Sequence, residues 1–342
     1  MNMTINIAKQ TVMCLLILLC CTSCRKSTTQ TAFYYWKTKF EVSTDQQTFL
    51  QKTNSQVLYL RVFDIVWDDT HHQPKPNAVL QMGNTPSGII IRPVIFIANN
   101  TFKQITSDAL DSLAYKSVKL LAAVAAKARF KYDRLQIDCD WTDQTQDKYF
   151  AYLKAVKKYA NLSLEATIRL HQIKYRERTG VPPVDRGILM FYNMGHLKPG
   201  QSRNSIYNTK DAARYLNRLP GYPLTLDVAL PIFSWTIHSR HNQILQLYTK
   251  IGSKDLHDAQ RFKYNGGTYT AIKSFFMKGI YIKENDSFKL EETDLNLLNE
   301  AAEILAAKLK PIPDRTFIYY ELANINQPEF TPQALSKITA HF

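Results

Sequence analysis

The chain of 342 residues has room for one large domain or two small ones, and its hydrophobic content of 45% is that of a globular fold, which argues against disorder. Its 43 Lys and Arg residues against 29 Asp and Glu give a formal charge of +14, yet they are spread along the chain without helix-turn-helix, RNP or zinc-finger spacing, so nucleic acid is not expected as a partner. An anionic glycan, an anionic membrane surface and plain solubilising charge remain, and an aromatic content of 12% suits sugar-stacking surfaces as well as a core.

Lys9 followed by the apolar run Val12 to Cys21 is short for a bilayer span and reads as a targeting segment. It ends in Cys21-Thr22-Ser23-Cys24, which resembles a bacterial lipobox with Cys21 where leucine is usual. The resemblance implies a signal peptide over residues 1–23, cleavage before Cys24, a lipid on Cys24 and a lipidated polar tether over residues 24–32. An ordinary cleaved signal peptide is the alternative, and either places the protein outside the cytoplasm. With the lipid, Cys24 anchors the chain to a membrane of the cell envelope, and the basic, polar residues that follow it point to the periplasm-facing side. Of the five cysteines only Cys139 lies beyond this segment, so no disulfide within the folded body, no structural zinc and no cofactor is expected.

Short apolar strands then alternate with helical patterns. The expected strands are Phe33 to Phe40, Val57 to Val66, Ile89 to Ala98, Arg134 to Thr142, Leu162 to Leu170, Gly187 to Met194, Leu224 to Phe233 and Phe317 to Leu322. Helices are expected from Thr44, from Ser107 to about Phe130, from Asp143 or Thr145 to about Ala160, over 211–218, and from Thr293 to about Lys308. Residues 70–87, with three prolines and the solvated pair His71 and His72, read as a long loop. Eight strands mostly separated by helices predict an α/β fold, a (β/α)8 TIM barrel over residues 33–342. The wide gap between strands seven and eight holds a hairpin over Phe276 to Leu290, and predicts an inserted lobe over about 236–315.

The fourth strand carries the most informative pattern. Leu135, Ile137 and Cys139 fall on one face; Gln136, Asp138 and Asp140 fall on the other, and two carboxylates on one side of a strand must meet a cation, a hydrogen-bond network or a ligand. In a barrel the active site sits where the strands end. The polar and aromatic residues expected there are Asp64, Trp67, Arg92, Asp138, Asp140, Trp141, Arg169, His171, Tyr192, Asn193, Trp235 and Glu321. Carboxylates, arginines and tryptophans at one mouth suit a sugar site. Asp138 and Asp140 stand ~6–7 Å apart along the strand, and a second carboxylate from Glu321, Asp64 or Asp227 would complete a pair for general acid and base work. Two bland readings stay open: an ion network of Asp138 and Asp140 with Arg92 and Arg169, and tryptophans that belong to the core. Glu165, lower on its strand than Arg169, is expected to pair inside the barrel, and Cys139 to pack in the core.

Asp138-Cys139-Asp140-Trp141 is similar to the core of the Asp-x-x-Asp-x-Asp-x-Glu motif of glycoside hydrolase family 18, the chitinase family. Met190-Phe191-Tyr192-Asn193 resembles the family's Met-x-Tyr-Asp, and Val228 to Phe233 its seventh strand. The resemblance, within a bacterial lipoprotein family, implies a glycosidase-like barrel whose partner is a polysaccharide. It is degenerate: the acid Glu is replaced by Thr142, the first Asp of the motif is absent, and the Asp after Tyr is Asn193. A threonine hydroxyl does not protonate a leaving group near neutral pH. The expectation is a cell-envelope lipoprotein that hydrolyses a polysaccharide with Asp140 as acid or base and Asp138 as its partner. The alternative is a non-catalytic glycan-binding or structural descendant.

Overall fold

A computed structural model describes residues 29–83, 87–198, 203–325 and 327–342; the signal segment, Cys24 and most of the tether lie outside these. Eight parallel strands close into a barrel: β1 Gln30–Tyr35, β2 Val57–Asp68, β3 Ile90–Ile97, β4 Arg134–Asp138, β5 Ser163–Arg169, β6 Arg186–Met190, β7 Leu226–Pro231 and β8 Thr316–Tyr320. Each pairs with the next, and β1 pairs with both β8 and β2, which closes the ring. Helices follow most strands, among them Ala109–Ala128, Gln146–Ala160 and Leu295–Lys308. Among the described residues no helix is long and apolar enough to cross a membrane.

Three local differences from expectation have physical reasons. The aromatic run at the start divides, because β1 follows the register of β8 from Gln30 and ends at Tyr35, while Lys39–Phe40 pairs separately with Gln81–Met82. The expected loop after β2 contains an edge strand, Gln73–Asn77, antiparallel to the far end of β2. Pro74 and Pro76 are tolerated there because an edge strand need not donate on its outer side. Three helices begin one residue from the expected caps: Ser43 accepts from the Gln46 amide, Asp294 accepts from the Leu297 amide, and Asp108 rather than Ser107 precedes Ala109–Ala128.

The two-residue alternation of β4 sorts its side chains between two cores. Leu135 and Ile137 join the apolar shell between barrel and helices, with Leu58, Leu60, Ile95, Leu164 and Leu189. The interior holds a smaller apolar cluster, including Ala32, Tyr34, Tyr59, Val94, Ile188, Met190 and Ile318. Polar groups fill the rest of it. At the floor, where the strands begin, Asp227 accepts from Arg186 Nη2 (2.8 Å) and Nε (3.0 Å) and from the Thr316 amide (2.7 Å). Glu165 accepts from Arg134 Nη1 at 3.1 Å, and Arg92 donates to Tyr59 Oη (2.9 Å) and Thr316 Oγ1 (3.2 Å). Above them Gln136 Nε2 donates to Tyr34 Oη at 2.8 Å.

Between β7 and β8 stands the inserted lobe. It is a five-stranded antiparallel sheet in the order Gln243–Tyr248, Ser234–Arg240, Ser287–Glu292, Thr268–Ala271, Phe262–Asn265, with a hairpin of Phe275–Met277 and Ile280–Ile282. The expected hairpin over Phe276 to Leu290 is therefore split between these two sheets. The lobe has its own core around Phe262, Met277, Ile282 and Phe288, and buried Asp286 ties its turn to Arg240 (2.6 and 2.9 Å) and His238 (2.9 Å).

Removing one partner from a buried, fully bonded ion pair leaves the other charge uncompensated. Asp227→Ala is expected to lower unfolding free energy by about 3–5 kcal/mol in urea titration, with the far-UV spectrum of the remaining folded protein unchanged.

Candidate functional site

β4 ends at Asp138, so the alternation that turns Gln136 inward delivers the Asp138 carboxyl to the barrel mouth. It is buried there and accepts from Thr167 Oγ1 of β5 at 2.6 Å. Burial pushes it up to about 6; Arg169 pulls against that rise, and Asp140 adds to it. Two residues on, Asp140 is half exposed and both its oxygens accept from Arg169, at 2.5 Å from Nε and 3.3 Å from Nη2. The guanidinium also lies 5.9 Å from the Tyr192 ring.

Aromatic rings build the opposite wall. Tyr320, last residue of β8, has Tyr34, Trp36, Tyr192 and Phe233 around it at 5.6 to 5.8 Å between ring centres. Trp235, second residue of the lobe strand Ser234–Arg240, packs back on the barrel's interior cluster and stands 5.4 Å from Phe233. The peptide from Tyr320 to Glu321 is cis. Glu321 accepts from the Trp36 amide at 2.7 Å, and burial raises its carboxyl above the usual range.

These groups enclose a cavity of about 510 Å³ lined by Asp138, Arg169, Tyr192, Asn193, Trp235, Tyr320 and Glu321, with Trp36, Lys37 and Phe233 at its sides. Arg169, Tyr192 and Asn193 form a shared wall with a second cavity of about 550 Å³, lined by Asp140, Thr142, His171, His196 and Tyr215. Burial lowers the His171 imidazole, which favours its neutral form. The arrangement offers ring faces, acceptors and the cations Arg169 and Lys37 in an open groove, which is chemistry suited to a polyhydroxylated ligand. Among the described residues no cluster of three or more His, Cys, Asp or Glu is arranged to hold a metal ion.

Four expected mouth residues stand elsewhere. Arg92 is only the third residue of β3, in register with Tyr59, so it points into the floor, and with it goes the expected ion network of Arg92 with Asp138 and Asp140. Trp141 leaves the mouth entirely: it is fully buried, stacked on Tyr149 at 5.1 Å, and its Nε1 donates to the Thr179 carbonyl at 2.8 Å. Trp67 packs against the outer apolar shell. Asp64, by contrast, stays at the mouth, level with Phe96 and through it with Asp138, but it pairs with Arg61 at 3.4 Å and lines neither cavity. Asp227 belongs to the floor, bonded to Arg186. Sequence reasoning missed Trp36, Lys37, Phe233 and Tyr320. The signal for two of them was present, since Trp36 continues the inward row of Ala32 and Tyr34, and Tyr320 follows inward Ile318.

No protein-family model matches the sequence, and no curated protein matches it. Solved structures do. The spore cortex-lytic enzyme SleL of Bacillus cereus is 11% identical over 92% of this chain and 74% of its own, with a TM-score of 0.52. Human YKL-39, a pseudo-chitinase with retained chitooligosaccharide binding properties, is 11% identical over 92% of this chain and all of its own, with a TM-score of 0.50. At this identity the likeness is one of fold alone, and together with the closed eight-stranded ring it shows a TIM barrel of the kind these two proteins share.

Because the Asp138 carboxyl rises from 3.8 to about 6 on folding, the folded protein keeps a proton there that the unfolded chain has already released. Its burial therefore costs stability progressively as pH rises through that window, and the cost is complete above it. Asp138→Asn keeps an acceptor for Thr167 and removes the charge. It is expected to stabilise the protein by on the order of 2–3 kcal/mol at pH 8 and by nothing at pH 4, read from urea unfolding at the two values.

Proposed function

We propose that this glycosidase-like barrel binds a polysaccharide across its mouth without cleaving it by the chitinase route, and that it does so in the cell envelope, held by a lipid on Cys24. One observation carries the reading: the groove keeps its ring faces and hydrogen-bonding groups while the position two residues beyond Asp140 presents the Thr142 hydroxyl. Asp140 does not take over as the acid in this reading, because Arg169 already engages both of its oxygens. It serves instead to hold Arg169 across the groove, where the guanidinium and Asn193 meet sugar hydroxyls. Tyr192, Trp235 and Tyr320 offer stacking faces, and the half-exposed rim residues Asp140 and His171 extend the surface into the second cavity. The fold shared with a pseudo-chitinase that retains chitooligosaccharide binding supports the same reading.

A hydrolase is the second reading, and the Asp138 carboxyl favours it: at about 6 it holds a proton over much of the acidic range, and Glu321 lines the same cavity. In that reading Asp138 protonates the leaving oxygen.

Calorimetric titration with chitooligosaccharides and other envelope glycans, beside product analysis, decides between the two. The expected outcome is saturable binding, no released product, and affinity lowered about tenfold or more by Trp235→Ala. Product that disappears in Asp138→Asn replaces the binding reading with the hydrolase; product that disappears in Asp140→Asn alone places the chemistry on Asp140.

The lipid anchor rests on the apolar run before Cys21-Thr22-Ser23-Cys24. In bacterial cells, labelled fatty acid is expected to enter the parent protein and not Cys24→Ser, which then leaves the membrane fraction. Equal labelling of both would remove the anchor.

A further inference from the structure

The inserted lobe contributes more to the groove than Trp235. On its strand Ser287–Glu292, Glu291 lies opposite Trp235 in the antiparallel register and is almost wholly buried. Its Oε2 accepts from the Trp235 indole Nε1 at 2.9 Å and also from Ser205 Oγ. Its Oε1 accepts from Lys289 Nζ at 2.5 Å. The same segment grips the chain that leaves β6: Asn204 Nδ2 donates to the Glu292 carbonyl and Lys289 Nζ to the Arg203 carbonyl, both at 2.6 Å. One carboxylate thus joins the lobe strand, the loop at 203–205 and the ring that walls the cavity.

We propose that Glu291 is the positioning residue that fixes the plane of the Trp235 indole for stacking on a sugar face. The inference rests on the glycan-binding reading. An indole has one polar handle, and a charged acceptor holds it about twice as firmly as a neutral one. Apolar contacts with Phe233 and the barrel's interior cluster locate the ring, and the hydrogen bond to Glu291 is the directional contact among the described residues that fixes its N–H edge. A stacking face is useful only if its plane is set before the ligand arrives, since ordering it on binding costs affinity. Lys289, the cation paired with the carboxylate, itself bonded to the 203–205 loop, makes the charge tolerable in a buried position.

The test uses the full chain in detergent with a chitooligosaccharide as probe. In the parent, the Trp235 indole N–H is expected to exchange slowly with solvent by NMR; fast exchange overturns the proposal without any variant. Glu291→Ala is expected to move or broaden that resonance and to lower probe affinity about as much as Trp235→Ala, with the double variant losing no more than either. Glu291→Gln, which keeps a neutral acceptor, is expected to restore most of the affinity. An unmoved resonance in Glu291→Ala, or losses that add in the double variant, overturns the positioning role. If the parent binds no glycan, the glycan reading fails by itself, and the exchange rate and resonance still decide whether Glu291 sets the ring.

Discussion

Everything at the mouth depends on how this barrel solves the problem of charge inside a closed sheet. The alternation of β4 sends Leu135 and Ile137 to the helices and leaves Gln136 and Asp138 no place but the interior. Neighbouring strands do the same with Arg92, Glu165 and Asp227. At the floor the solution is pairing: each acid there has a guanidinium in hydrogen-bonding contact, and Asp227 gains a backbone amide as well. One layer higher, among the described residues, no cation is hydrogen-bonded to Asp138; Thr167 is its bonded partner and burial raises its proton affinity. The floor therefore holds its acids by guanidinium pairing, whereas Asp138 at the mouth has, among the described residues, only a neutral hydroxyl bonded to it. Groups of this kind gather at functional sites because a ligand completes what the fold does not.

The lobe makes the second contribution. Trp235 and Glu291 sit across from each other on lobe strands, yet the ring belongs to the barrel's cavity. The chain leaving β6 is bonded to the same lobe segment through Asn204, Ser205 and Lys289. The groove is thus framed by two different parts of the chain that are stitched together above the ring of strands, while Tyr320 comes from the ring itself and Tyr192 stands two residues past the end of β6. Rigidity in such a wall matters more for a binding surface than for a shell of bulk apolar packing.

The barrel was legible because period-two apolar runs separated by helical patterns have few other architectures open to them. The convergence of Asp138, Arg169, Tyr192, Asn193 and Glu321 on one cavity follows from the same reasoning carried to strand ends. Depth was not legible. Arg92 and Asp227 have the right side-chain direction but lie near the start of their strands, and alternation says which face a residue takes without saying how high it stands. Trp141 was misplaced for a related reason: β4 stops at Asp138, and past that point the chain no longer alternates, so the indole turns into the helical shell. Pro74 and Pro76 concealed an edge strand, because proline signals the absence of a donor and an edge strand does not need one.

One further consequence lies in the direction of β1. The Gln30 amide donates to the Arg315 carbonyl just before β8 begins, so the chain enters the barrel through its floor. Strands of this length rise roughly 20 Å, and the groove opens at their other end. If the proposed lipid on Cys24 holds the protein, the chain leads from it into the floor of the barrel, at the end opposite the groove. Under the glycan-binding proposal, a ligand would then reach the rings from the side of the barrel away from its anchor.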